Sequence, residues 1–157
     1  MSAGEGTLVA SRVAAGGGSV EEIAAAFVAL TLPKTCWTHH AHLRVGLWHV
    51  AHHGADEALA LLRARIRALN ESHGVANTET GGYHESITRF YVWRIATFLA
   101  SADRARGLDE LAADLIERFG AKDLPLQYWS RERLMSVPAR LGWVEPDVTP
   151  LLWNPRS

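Results

Sequence analysis

The histidines of this chain carry its first chemical signal, because two of them, His39 and His42, stand three residues apart. On a helix that spacing sends both rings from the same side. At about 100° per residue, His39, His42, Gly46, His49 and His53 share one narrow stripe. Leu43, Leu47 and Val50 lie beside it and mark the direction of the core. Gly46 costs about 1 kcal/mol against alanine inside a helix. Room for a substrate, or for a close neighbouring helix, would offset that cost. Farther along, His84 shares a helical face with Thr88, Tyr91, Ile95 and Phe98, a face apolar enough to point inward. His39, His42 and His84 are therefore expected to converge at one end of a bundle and to hold one divalent metal ion. Three neutral imidazoles with an open fourth position form a catalytic type of metal centre.

The neighbours of these histidines extend the chemistry. Glu85 follows His84 and offers a fourth ligand, a general base toward metal-bound water, or a carboxylate that orients a ligand's second nitrogen. An acid in the first turn also simply favours the helix dipole. Tyr91 is the best placed pocket hydroxyl and, with Glu85, the expected catalytic group. Trp37, Thr88 and Arg89 are the expected substrate contacts. Trp48, Trp93, Tyr128 and Trp129 are further candidates for an apolar wall, although Trp48 and Trp93 fall off the histidine faces and suit ordinary packing. Arg131 and Arg133 offer bidentate bonds to a carboxylate or phosphate, and Arg140 an anchor for the C-terminal arm through Asp147. His40, His52 and His73 suit solvent or helix ends.

Zinc, iron and copper are not distinguished by such a ligand set. A zinc-like ion lowers the pKa of bound water toward about 7 and points to hydrolysis, hydration or a lyase step. Iron or copper points instead to an oxygenase or oxidase. A non-catalytic metal- or ligand-binding helical module is the third reading.

Positioning these groups falls to helices. Ser19 and Glu22 form a capping box ahead of Ile23, Phe27 and Leu30, and Pro33 marks the exit. A second helix is predicted from Thr38 as cap through residue 53, with Gly54 closing it. A third covers residues 56–72, a fourth 83–100 and a fifth 109–119. Beyond Gly120 five prolines allow only short turns, near 130–135 and 136–141, and then an extended wrap. Apolar and polar residues never alternate long enough for a sheet. The expectation is an all-α fold, a four- to five-helix bundle with an irregular C-terminal arm. Residues 1–18, rich in glycine, read as a flexible N-terminal tail, and residues 19–157 as a single helical domain.

Composition narrows the partners. Sixteen basic and seventeen acidic side chains leave a formal charge of -1, which supplies no footprint for nucleic acid or an anionic membrane. No apolar run approaches the roughly 20 residues of a membrane span, and the N-terminus lacks a signal-peptide pattern. A single cysteine, Cys36, excludes an internal disulfide and fits a reducing cytoplasm. A small-molecule substrate is the expected partner, and a homodimer is compatible with the sequence.

The stretch Trp37-Thr38-His39-His40-Ala41-His42-Leu43-Arg44 resembles the aromatic-x-His-x-x-His-Leu-Arg signature of a group of small, largely uncharacterised bacterial all-α proteins. Tyr83-His84-Glu85-Ser86-Ile87-Thr88 is similar to that group's Tyr-His-Glu-Thr-x-Thr segment, with Ser86 in place of its usual threonine. Tyr128-Trp129-Ser130, Leu134, Ser136, Ala139-Arg140 and Pro146-Asp147 resemble its C-terminal pattern. The resemblance spans residues 37–150. It favours His39, His42, His84 and Glu85 over the other histidines and acids, and it implies no particular reaction.

Overall fold

A computed structural model describes residues 3–14 and 17–152. The elements run α1 (Ala3–Ala14), α2 (Val20–Val28), α3 (His39–His53), α4 (Ala55–Ser72), α5 (Glu85–Ser101), α6 (Leu108–Phe119), α7 (Arg131–Leu134) and α8 (Val137–Leu141). No strand occurs among the described residues, so the expected all-α class holds. None of their helices is long and apolar enough to cross a membrane.

Side-chain oxygens begin several of these helices. Ser19 Oγ accepts from the Glu22 amide at 3.1 Å while Glu22 Oε1 accepts from the Ser19 amide at 2.9 Å, which completes the capping box. Thr38 Oγ1 accepts from the Ala41 amide and starts α3 at its predicted residue. Gly54, at φ 78°, then breaks α3 from α4.

The central element is α3, which packs against α2, α4, α5 and α6. Leu43, Val45 and Leu47 of α3 are buried with Phe27, Leu69, Ile95 and Leu115 in one core. Each such side chain gains roughly 1.5–3 kcal/mol from leaving water. Gly46 explains how α5 comes so close: a methyl there would stand 2.8 Å from Ile95 Cδ1. A second cluster, Phe90, Leu124, Trp129 and Leu134, lies where the C-terminal arm packs on α5. The arm is tied down by polar bonds. Asp147 accepts from the amide and hydroxyl of Ser130, and Trp129 Nε1 donates to the Val144 carbonyl.

Within the glycine-rich N-terminal segment, Ala3–Ala14 forms α1, whose Val13 is buried in the core. Two residues depart from the sequence reading in the fold itself. Arg140 does not reach Asp147; it donates to the Gly82 carbonyl at 2.8 Å instead. His84 is the N-cap of α5 and not a residue of its first turn, because its ring occupies the capping position.

Candidate functional site

A cavity of about 550 Å³ opens between α3, α4 and α5 and is closed by the chain that follows α6. That volume suits a small organic molecule. Leu43 and Gly46 of α3, Leu62 and Ile66 of α4, and Ile87, Val92 and Ile95 of α5 make its apolar walls. Pro125, Leu126, Leu134 and Met135 close it from the arm. Against this lining stand a few polar groups: His39, His42, Thr88 and Tyr91, with the exposed Lys122, Asp123 and Arg131.

The i, i+3 pair on the first turn of α3 sets two imidazoles into the cavity wall. His42 Nδ1 donates to the Thr38 carbonyl at 2.7 Å, which leaves Nε2 with its lone pair. Its ring stacks on Trp37 with centroids 3.5 Å apart, and Trp37 in turn stacks on the buried Phe27. His39 meets the Tyr91 ring at 5.6 Å between centroids, inclined by 67°. The buried atoms His39 Nε2 and Tyr91 Oη have no hydrogen-bond partner. Buried polar atoms are ordinarily bonded; these two are closed off from solvent as well as unpaired.

Both groups are uncharged near neutral pH. Burial lowers the pKa of His39, and the positive charge of Lys122 reinforces the shift. Burial raises the Tyr91 phenol, and the Asp123 carboxylate adds to it. Surrounding protein lowers the pKa of His42 as well, although that residue keeps an exposed edge. Thr88 Oγ1 donates back to the His84 carbonyl at 2.8 Å and so presents mainly its methyl group and oxygen lone pair.

Five of the residues expected from the sequence thus share this cavity: Trp37, His39, His42, Thr88 and Tyr91. Three others do not line it. His84 accepts the Ile87 amide on Nδ1 at 3.2 Å and donates from Nε2 to the Leu134 carbonyl at 2.7 Å. Both ring nitrogens are used, and no lone pair remains for an ion. Glu85 is buried in a bidentate pair with Arg63, at 2.8 and 2.6 Å, and Tyr83 donates to the same carboxylate at 2.8 Å. Burial opposes its ionisation, but the Arg63 and Tyr83 bonds outweigh burial and hold its pKa below the usual range. Arg89 lies over the Trp143 ring at 4.8 Å. Among the described residues, no group of three His, Cys, Asp or Glu side chains is arranged to hold a metal ion.

No family model, curated protein or solved structure matches the chain. The site must therefore be read from its own residues.

His49, His52, His53 and His73 have structural partners. His49, fully buried, donates from Nδ1 to the Val45 carbonyl and accepts Arg65 on Nε2 at 2.9 Å. His73, expected in solvent or at a helix end, is the C-cap of α4, half-buried and bonded to the Leu32 carbonyl at 2.8 Å. His53 pairs with Glu57, and His52 with Glu21. Cys36 donates its thiol hydrogen to the Val13 carbonyl. Tyr128 and Trp129, candidates for the pocket wall, pack in the arm's own cluster.

Sequence reasoning missed the closing wall, Lys122 to Leu126 with Leu134 and Met135. The signal was Leu124-Pro125-Leu126, an apolar run in an otherwise polar connection, which has to bury itself against something.

Proposed function

We propose that this protein binds a small, largely apolar organic molecule in the α3–α5 cavity and acts on it by acid–base chemistry. One observation carries the reading: an apolar cavity of about 550 Å³ is lined by both His39 and Tyr91, whose rings meet at 5.6 Å between centroids. His39 Nε2 and Tyr91 Oη are buried without a partner, at a cost of about 1–3 kcal/mol each, and a ligand toward which these side chains turn recovers this. In the tautomer with its hydrogen on Nδ1, His39 Nε2 accepts a proton from the bound molecule. Tyr91 Oη then donates a hydrogen bond to the atom on which negative charge develops. The lowered His39 pKa keeps the imidazole in its basic form near neutrality. Trp37 and His42 stack at the wall and limit where the molecule can lie.

The test is a titration with the neutral fluorophore N-phenyl-1-naphthylamine. Saturable one-to-one binding is expected, weakened about tenfold or more by Ile66→Trp, which places a large ring in the cavity. Absence of binding, or a variant that binds as well as the parent, overturns the reading.

A divalent metal ion is a second reading, supported by the free Nε2 atoms of His39 and His42 on one helix face. The arrangement offers two imidazoles and not three, since His84 is engaged elsewhere, so no reaction step is assigned to a metal. Metal content of untagged protein decides it. Stoichiometric zinc, iron or copper lost in both His39→Ala and His42→Ala would establish a two-imidazole site.

A further inference from the structure

The cavity is apolar inside, but charge stands at its mouth. Lys122, Asp123 and Arg131 border the opening, and all three are exposed. Among the described residues none of the three forms an ion pair. Arg133, two residues beyond Arg131, donates to the Glu145 carbonyl instead. It lines no part of the cavity, and neither does Glu132. Lys122 is near enough to His39 to lower its pKa, and Asp123 near enough to Tyr91 to raise the phenol's, so the rim charges stand beside the polar part of the wall. Two cations against one anion leave the mouth with one positive charge in excess.

We infer that the ligand is an amphipathic monocarboxylate, its apolar body inside the cavity and its carboxylate at the mouth with Lys122 and Arg131; this rests on the cavity being the ligand site. The body packs against the Trp37–His42 stack and the aliphatic side chains of Leu62, Ile66 and Ile95. A carboxylate at the mouth keeps part of its hydration and escapes the desolvation cost of an ion carried into the apolar wall. Arg131 offers a planar fork to both oxygens, and Lys122 a mobile point charge. Asp123 opposes the anion, but alone against two cations. An ammonium head group meets the reverse balance, one carboxylate and two like charges. A neutral head group leaves all three charges in water and gains nothing from them. A phosphate monoester carries more negative charge than the mouth has in excess. Exposed ion pairs are weak, each about fivefold in affinity at most. The body therefore supplies most of the binding, and the rim chooses the head group.

Three ligands of one shape test the inference. At neutral pH 2-naphthoate, 2-naphthamide and 2-naphthamidine carry a negative, no and a positive charge on the same ring system. Each is titrated against the full chain, its Lys122→Gln and Arg131→Gln variants and the double variant. These substitutions alter exposed, unpaired side chains, and circular dichroism checks that the fold is kept. In the parent at low ionic strength 2-naphthoate should bind about fivefold or more tighter than 2-naphthamide, with 2-naphthamidine weakest. Each single variant should raise the 2-naphthoate dissociation constant about two- to fivefold. The double variant should bring it within about twofold of the amide's, which itself stays within about twofold of its parent value. Added salt should narrow the gap in the parent. An amide that binds the parent as tightly as 2-naphthoate, or a 2-naphthoate advantage that survives the double substitution, overturns the inference. Tightest binding of 2-naphthamidine overturns it in favour of a cation held by Asp123. If N-phenyl-1-naphthylamine binds and none of the three does, the carboxylate assignment falls while the cavity reading stands. If none of the four binds, both fall.

Discussion

His84 Nε2 donates to the Leu134 carbonyl at 2.7 Å, so one imidazole joins the start of α5 to the arm that closes the cavity. The same ring caps α5 through Nδ1 and the Ile87 amide. Imidazole can do both, as it carries a donor and an acceptor on opposite edges of a ring long enough to span the two segments. The group expected to bind an ion is thereby a clamp between two segments fifty residues apart.

Replacing His84 should cost stability first. His84→Ala strands a buried carbonyl and an amide, a loss of about 1–3 kcal/mol. His84→Asn restores the cap, about 1 kcal/mol of it, but is too short to serve Leu134. Urea unfolding of the three proteins is expected to rank them parent, Asn, Ala. His39→Ala provides the contrast: it removes an unpartnered Nε2, one bond to the Gly120 backbone and a ring contact with Tyr91, and should cost less than His84→Ala, about 1 kcal/mol. Equal losses at both positions would contradict the separate roles assigned here.

Glu85 is predicted to matter for folding and not for ligand binding. Its carboxylate receives two bonds from Arg63 and one from Tyr83, and it lines no part of the cavity. Glu85→Gln keeps the shape but loses the charge, which should lower stability by about 1.5–3 kcal/mol. The dissociation constant of N-phenyl-1-naphthylamine should remain within about twofold of the parent value. A large loss of binding in a fully folded variant would return Glu85 to the site.

Acid should destabilise the fold before its carboxylates titrate. Burial lowers the His49 pKa to about 4, and the Arg65 cation opposes protonation too. Between that value and the ordinary 6.5, the unfolded chain binds a proton that the folded chain refuses. Stability therefore rises with pH across this window and falls on acidification, by up to about 1.4 kcal/mol per pH unit for one such group. His39, His42 and His84 shift in the same direction and steepen the slope. Unfolding free energies at pH 7, 6 and 5 should fall in that order, and His49→Leu should show a shallower decline. A flat profile would mean these imidazoles titrate normally.

The helices were legible because their signals are local. Ser19 with Glu22, Thr38 and Gly54 each act within one turn, and the structure begins or ends a helix at each of them. The pairing of His39 with His42 was legible for the same reason, since spacing alone puts both rings on one side. His84 was misplaced because its role depends on Leu134, and nothing within one turn of His84 reveals a carbonyl delivered by a distant loop. Glu85 was misread likewise, as its partner Arg63 sits on another helix. Helix α1 was not legible in the N-terminal segment, because glycine is a poor helix former and the burial of Val13 is a tertiary contact. Short-range patterns find elements; they do not show which polar groups the tertiary fold will already have paired.

Gly46 tests how closely cavity and helix packing are linked. Alanine there should gain about 1 kcal/mol of helix propensity. Its methyl would also stand 2.8 Å from Ile95 Cδ1, closer than van der Waals contact permits. Ile95 is buried and borders the cavity. The two effects oppose each other in stability, which should stay within about 1 kcal/mol of the parent. In binding nothing opposes the loss: Ile95 turns into the cavity and the volume left for a ligand shrinks. N-phenyl-1-naphthylamine affinity should fall by about threefold or more, roughly 0.7 kcal/mol. Unchanged affinity together with raised stability would show that Ile95 relaxes elsewhere, and that the close approach of α3 and α5 does not set the cavity's size.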